Sequence, residues 1–454
     1  MATLNDLADA ITGRYSQAIA RPPRGGGQND NATLADAVAT GKRLQPGTYI
    51  LTQSIDASAI DRPALLGAAA GQTEIQMSPG VYLIDGVANW HTLTVRDILT
   101  YGGAGIVRNQ STGTDVIGIK LIEDCWFFDY THAAISSNCS DDPNWTIRNN
   151  MFRGANYTTA IGIALGGLMD SDRIEGNKFS RNKIHIKCGA GGCNTYIHHN
   201  DFIFMEADAG PRVTIWIVPN QARPENGNNA WVNPGNGLVI AANKFGPEGA
   251  ALTDYPILYA DEGAGTLIAD RMPVFTDSVG VIANHTIRDN DWVTQTATPK
   301  QFIYTTTAEM YGCNFSGHVF NVQTGMTFFK WKNPPTWQPK NCVVGHVTFS
   351  SGQGMPLSNS PRVRCINSVQ TVDRSAGETT VPAYNVDLIR FMNSAATTVT
   401  NFTSGSDGID LKVISLNGNT TIANTGNVSM AANLALAANT MYRFTYFDGK
   451  WYRS

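Results

Sequence analysis

The sequence predicts an all-β chain, a solenoid of short strands followed by a small C-terminal β-sandwich, and three observations predict it. First, a six-residue pattern, apolar-x-x-(Asn or Cys)-x-(Phe or Trp), recurs at Ile122–Phe127, Ile147–Phe152, Ile174–Phe179, Ile197–Phe202, Ile240–Phe245, Ile287–Trp292 and Met310–Phe315. Successive fourth positions (Cys125, Asn150, Asn177, Asn200, Asn243, Asn290, Cys313) are 25, 27, 23, 43, 47 and 23 residues apart, four steps of one period and two of about double. Units of this length cannot bury their apolar faces alone and must stack. Second, stretches such as Thr146-Ile147-Arg148, Arg173-Ile174-Glu175, Tyr196-Ile197-His198 and Ile184-His185-Ile186-Lys187 alternate apolar and polar, the period of a half-buried strand. Third, the repeat stops near Ser351, after a degenerate copy at Val344–Phe349, where Gly, Ser, Asn and Pro crowd Ser350–Ser360. Beyond it, Val386–Met392, Thr398–Phe402, Ile409–Leu416 and Tyr442–Phe447 read as the strands of the sandwich, and Asp448-Gly449 as the turn of a closing hairpin.

Taken in order, the chain opens with Leu4, Leu7, Ile11, Tyr15, Ala18 and Ile19 on one face of a helix that ends before Pro22-Pro23. Such a stripe needs a partner, either other copies of the chain or the first coil, whose open end it would cap. A second, short helix is expected at Ala32–Thr40, between Gly25-Gly26-Gly27-Gln28-Asn29-Asp30-Asn31 and Gln45-Pro46-Gly47-Thr48-Tyr49-Ile50. In the repeats, an Asn at one fixed place per coil tolerates the left-handed backbone of a tight turn, and its amide can bond the Asn of the next coil ~4.8 Å away. Cys125 and Cys313 fill the same column as small apolar residues, and the aromatic positions stack ring on ring.

The Asn ladder, the aromatic stack and the irregular coils resemble the right-handed parallel β-helix of pectate-lyase-like proteins. The Gly-Asp entry, the short helix and the Pro46-Gly47-Thr48-Tyr49 wording resemble the capped start of the phage-associated branch of that superfamily, the tail spikes and polysaccharide depolymerases. The C-terminal segment, with Asn419-Thr420-Thr421-Ile422-Ala423-Asn424, resembles the sandwich that ends many such spikes and fibres. The resemblance implies three regions: an N-terminal anchoring segment at 1–25, a β-helix at 26–350, and a C-terminal domain at 351–454 for trimerisation or carbohydrate binding. It further implies a homotrimer, attached to the virion tail through its N-terminus, that acts on a bacterial surface polysaccharide.

Composition sets limits. Only 15% of the 454 residues are charged, 44 are Gly and the formal net charge is -4, so nothing suggests a nucleic-acid partner. A weakly acidic surface repels anionic polymers at long range, so an acidic glycan needs local basic residues at its site. The absence of an 18-residue apolar run and of a charged n-region with an h-region predicts neither a membrane partner nor a signal peptide, and synthesis in a cytosol. The odd count of seven Cys, with two in the ladder, argues for buried thiols. Cys188 and Cys193, with His198 and His199 near, have metal-like spacing, but Cys188 falls at an inward position and Cys193 opens a Gly-rich turn. Neither metal nor other cofactor is expected.

Clefts arise where loops interrupt the coils, and the two doubled steps mark such places, each holding an unregistered coil plus loops or one long insertion. If Ile184, Ile186 and Cys188 face inward, His185 and Lys187 face out; the same rule puts Trp216 out beside Ile215 and Ile217, and Tyr259 and Asp261 out beside Leu258 and Ala260. Exposed Trp216 and Tyr259, with His185, Lys187 and Arg212, suit a sugar: its apolar face stacks on a ring while its hydroxyls meet charged groups. The alternative is that the insertions, or a trimer interface, bury Trp216. Hydrolysis needs two carboxyl groups across the glycosidic bond, and the candidates are Glu206 or Asp208 facing Asp261 or Glu262. One member must stay protonated, which burial beside Trp216 or Tyr259 achieves by raising its pKa. On the neighbouring sheet, Glu123, Arg148, Glu175, His198, Ala241 and Arg288 form an outward column with Thr146, Arg173 and Tyr196 beside it. It reads either as a ladder of surface ion pairs or as elimination chemistry, Arg173 neutralising a uronate and Tyr196 or His198 acting as base and acid.

Overall fold

Every coil contributes up to three short strands, and each strand pairs in parallel with its counterparts on the coils before and after. The computed structural model describes residues 19–454 except 26, 89, 112–117, 138–143, 156–158, 166–170, 190–193, 204–211, 220, 223–229, 232–234, 247–254, 263–274, 278–280, 294–300, 308, 323–325, 333–340, 351–356, 359–363, 367–370, 376, 384–385 and 404–407. The predicted N-terminal stripe up to Ala18 lies outside the described residues.

The parallel β-helix has three faces. The Ile face carries the first position of the repeat, in strands such as Trp145–Arg148, Arg173–Glu175 and Tyr196–His198. The Phe face carries the sixth, in strands such as Trp126–Tyr130, Met151–Gly154 and Lys178–Ser180. The back face is a sheet of ten strands, one per coil.

The turn between the first two faces is held by the Asn ladder. Asn177 Oδ1 accepts the backbone N–H of Asn150 (2.9 Å) and its Nδ2 (3.1 Å), while Asn177 Nδ2 donates to Ile147 O at 2.8 Å. The same arrangement joins Asn177 to Asn200, Asn200 to Asn243 and Asn243 to Asn290, and all five amides are buried. The left-handed residue of each turn is the one before the ladder position, at Asp124 (φ 56), Asn149 (57), His199 (56), Ala242 (53) and Asp289 (57). The ladder residue is therefore selected for its amide, not for its backbone freedom. The direct bond from Asn200 N to Asn243 Oδ1 (3.0 Å), and from Asn243 N to Asn290 Oδ1 (3.0 Å), makes these residues neighbours across both doubled steps. Each doubled step is one coil with a long insertion.

Below the amides the rings stack, Phe127 on Phe152 (5.3 Å between centroids), Phe152 on Phe179 (4.8 Å), Phe179 on Phe202 (5.2 Å) and Phe202 on Phe245 (5.1 Å). Tilted and offset pairs of this kind contribute beyond their buried area. The first coil is closed by the helix Asn31–Thr40, which buries Leu34, Ala37 and Val38 and ends at Gly41 in the left-handed conformation (φ 68). It touches the first strand of all three faces, Gly47–Leu51, Ile55–Asp56 and Ala64–Leu66. Asp30, buried before the helix, accepts the N–H of Arg24 (2.9 Å) and of Ile50 (3.0 Å), so the Gly-Asp entry and the Pro-Gly-Thr-Tyr strand are one structural unit.

At the other end the parallel ladder reaches Arg364–Ile366, which pairs with Val343–Gly345. A six-stranded sheet and smaller sheets of two and three strands then form a sandwich-like module around Ile389, Val413, Phe402, Phe444 and Trp451, continuous with the β-helix core. The final hairpin turns at Asp448 (φ 46) and Gly449 (φ 81), the two positive φ angles of a type I′ turn. Among the described residues no helix is long and apolar enough to cross a membrane.

Candidate functional site

The back face departs from simple alternation. Most of its strands begin with a corner where two successive residues turn inward, as at Leu83 and Ile84, Ala134 and Ile135, and Phe302 and Ile303. In Ile184–Gly189, Ile184 lies in the outer apolar cluster, His185 contacts the Phe179 and Phe202 rings (centroids at 5.5 and 5.7 Å), Ile186 joins the core, and Lys187 is again outward. An outward column runs in register through Ala164, Lys187, Trp216, Leu258 and Tyr304. Its centre is sealed: Ala164, Trp216 and Leu258 have no exposed surface and Lys187 has 1%. Trp216 Nε1 donates to Ala260 O at 2.9 Å, and Lys187 Nζ sits 5.5 Å from the Trp216 ring centroid.

This corrects the sugar-binding face expected here. Trp216 and Lys187 point outward as predicted but are buried: Trp216 belongs to a second buried apolar cluster with Val213, Val218, Leu258 and Ala260. His185 is turned into the core by the corner, where Asn182 Nδ2 meets its Nδ1 at 3.1 Å and burial pushes its pKa down to about 3. Tyr259 is inward and Leu258 outward, the reverse of the expected order, and the Tyr259 hydroxyl meets His285 Nδ1 at 3.0 Å. Arg212 is 7% exposed. Of the proposed carboxylates, Asp261 is 7% exposed in a strand antiparallel to Phe275–Thr276. Glu262 pairs in the same hairpin and its side chain lies outside the described residues, as do Glu206 and Asp208.

The Ile face has the predicted outward column, Glu123, Arg148, Glu175, His198, Ala241 and Arg288, in register, with Thr146, Arg173 and Tyr196 beside it. Buried Glu123 is held from both sides, by Arg96 Nε (2.6 Å) and Arg148 Nη2 (2.5 Å). His198 Nε2 meets Glu175 Oε2 at 3.0 Å and His198 Nδ1 meets His199 Nδ1 at 2.7 Å. Burial, opposed by Glu175, keeps the His198 pKa below its ordinary value. The neutral ring thus has both nitrogens engaged.

The Phe face holds what the sequence reading missed. Tyr101, Trp126 and Phe128 form an outward aromatic group, with Tyr101 38% and Trp126 42% exposed. Phe128 stands between them, its centroid 5.5 Å from Tyr101 and 6.4 Å from Trp126. Two outward columns pass through the group: Glu74, Leu99, Trp126, Met151 and Lys178, and beside it Gln76, Tyr101, Phe128, Arg153 and Ser180. Gln76 Nε2 donates to Glu74 Oε1 at 2.7 Å. The turn at Gly71 (φ 82) borders the Trp126 ring; a Cβ there would lie 3.6 Å from it. The signal was present, since Phe127 points inward as a member of the stack and so turns its neighbours Trp126 and Phe128 out.

Among the described residues no three His, Cys, Asp or Glu side chains are placed to hold a metal ion. Cys188 is a buried free thiol whose pKa burial pushes up to about 12, and Cys193 lies outside the described residues.

No family model matches the chain, and no curated protein matches it. Solved structures do. A tailspike protein double mutant of E. coli bacteriophage HK620 is 11% identical with a TM-score of 0.45, over 95% of this chain and 87% of that one. The catalytic unit of a thermostable GH87 alpha-1,3-glucanase from Streptomyces thermodiastaticus is 12% identical with a TM-score of 0.34, over 90% and 67%. PfbA, a surface adhesin of Streptococcus pneumoniae, is 11% identical with a TM-score of 0.34, over 96% and 98%.

Proposed function

We propose that this protein is a tail spike depolymerase that binds and cleaves a bacterial capsular or exopolysaccharide. The observation that carries the reading is the solvent-facing group Tyr101, Trp126 and Phe128 on a flat sheet, with the Glu74–Gln76 pair at its side. Contiguous aromatic surface left open to water marks a binding site. The rings accept the apolar face of a pyranose, and the carboxylate and amide accept and donate to its hydroxyls. The parallel coils make this surface linear, which suits a polymer.

Cleavage in this reading is endo-glycoside hydrolysis by a carboxyl pair drawn from Glu206, Asp208, Asp261 and Glu262, at the coils that carry the insertions. The Trp126 strand lies four coils before the coil that carries Asp261, ~19 Å along the axis at ~4.8 Å per strand. Elimination at Arg173, Tyr196 and His198 is less well supported, because the His198 nitrogens are already bonded to Glu175 and His199. We further assign the N-terminal segment to tail attachment, the homotrimer to the assembled spike, and 351–454 to trimerisation or glycan binding.

The test is incubation of the purified protein with a panel of capsular and exopolysaccharides, following reducing ends and the ultraviolet absorbance of a conjugated uronate. New reducing ends without absorbance support hydrolysis, and absorbance moves the chemistry to the Ile face. Binding without shortening on every polymer leaves a receptor-binding spike and removes the enzyme.

A further inference from the structure

We infer that the Phe-face platform takes an acidic glycan, and that Arg153 receives a sugar carboxylate. The inference rests on the reading of Tyr101, Trp126 and Phe128 as a glycan site. Arg153 is exposed and follows Phe128 in the same outward column, one strand spacing away, ~4.8 Å. It takes part in no ion pair or hydrogen bond among the described residues. Arg96 and Arg148 of the Ile face, by contrast, share Glu123.

Charges alternate in the other outward column of the Phe face. Beyond Met151 that column runs Lys178, Asp201, Lys244, Asp291 and His318, so opposite charges are neighbours along the axis. Arg153 has no such neighbour in its column, with Phe128 on one side and Ser180 on the other. Asp129 follows Phe128 but sits half-buried at the irregularity before Tyr130, with a left-handed backbone (φ 58), and forms no pair with Arg153. Glu74 stands three coils before Arg153 and engages Gln76.

The geometry therefore offers rings, then one uncommitted guanidinium, along the direction a polymer would run. A planar guanidinium matches a carboxylate through two parallel N–H···O bonds. On a protein with a formal net charge of -4 an anionic polymer gains nothing from the overall field, so a local cation must select it. A sugar stacked on Phe128 puts the substituent of the next residue within reach of Arg153.

The experiment measures binding of the full chain to purified bacterial polysaccharides by calorimetry. The panel holds carboxylated polymers, the same polymers after chemical reduction of their carboxyl groups to alcohols, and phosphate-bearing polymers. The variants are Arg153→Gln, Arg153→Lys and Trp126→Ala. The expected result is at least tenfold weaker binding after carboxyl reduction. Arg153→Gln should lower affinity for the native polymer to that level and leave affinity for the reduced one unchanged, with Arg153→Lys between. Equal binding of native and reduced polymers overturns the inference, as does an unchanged Arg153→Gln or binding confined to phosphate-bearing polymers. In those cases loss of binding in Trp126→Ala still upholds the platform as a glycan site. Unchanged binding in Trp126→Ala, with Arg153→Gln impaired, fails the platform reading instead.

Discussion

Trp126 and Trp216 occupy the same kind of position, an outward site on a short parallel strand, yet Trp126 is 42% exposed and Trp216 not at all. The difference lies in what packs around each ring. Trp126 is on the Phe face, which the short Asn turn joins to the Ile face. Trp216 is on the back face, where it belongs to a second buried apolar cluster and its Nε1 donates to Ala260 O. Strand alternation decides on which side of the sheet a ring stands; the packing on that side decides whether water reaches it. The open ring is available for recognition, while the covered one adds a second apolar layer with Val213, Leu258 and Ala260.

The contrast is sharpest in a pair of substitutions. Trp216→Ala should destabilise the chain by about 3–5 kcal/mol in chemical denaturation, the loss of a large buried side chain. Trp126→Ala should change stability by less than about 0.5 kcal/mol while weakening glycan binding at least tenfold. Equal destabilisation by the two would break the comparison. The amide column serves both faces, so Asn200→Ala comes next. It removes the acceptor of Asn177 N and Nδ2 and the donor to Ile174 O, and should cost about 3 kcal/mol.

A smaller, pH-dependent effect belongs to the back-face corner. Buried His185 has its pKa lowered from 6.5 to about 3 by desolvation. The unfolded chain takes up a proton below pH 6.5 that the folded chain refuses until about pH 3, so stability should fall as pH drops through that window and be unaffected above it. His185→Phe should flatten this slope in denaturation series at several pH values. The smallest effect is expected on the Ile face, where Glu175→Gln removes a half-exposed pair with His198 and should cost ~0–1 kcal/mol. A loss of several kcal/mol there would sink the view of that ladder as surface pairing.

The repeat made the body of the molecule legible. The Asn ladder, the Phe stack and the charged column of the Ile face all stand in the register that the spacing implies, because each depends only on strand period and on the partner one coil away. The back face was less legible. Its corner turns His185 and Ile186 inward together, which a period-2 rule cannot see; its outer side is also apolar, so that outward Leu258 and Ala260 read as inward and reverse Tyr259. Whether Trp216 is covered depends on long-range packing, on which strand period is silent. The Trp126 group was within reach of the alternation rule, since an inward Phe127 fixes both of its neighbours.

A stack of parallel coils has no internal signal to stop growing. Each terminal coil presents rows of unpaired N–H and C=O groups, a template on which another chain can polymerise. Here the helix Asn31–Thr40 lies across the first strand of all three faces, and Asp30 ties the Arg24 and Ile50 amides beside it. That lid sets one terminus of the rod, so that its length is counted by the sequence and not by supply of chains. A protein freed of it is expected to expose that edge to pairing with another chain.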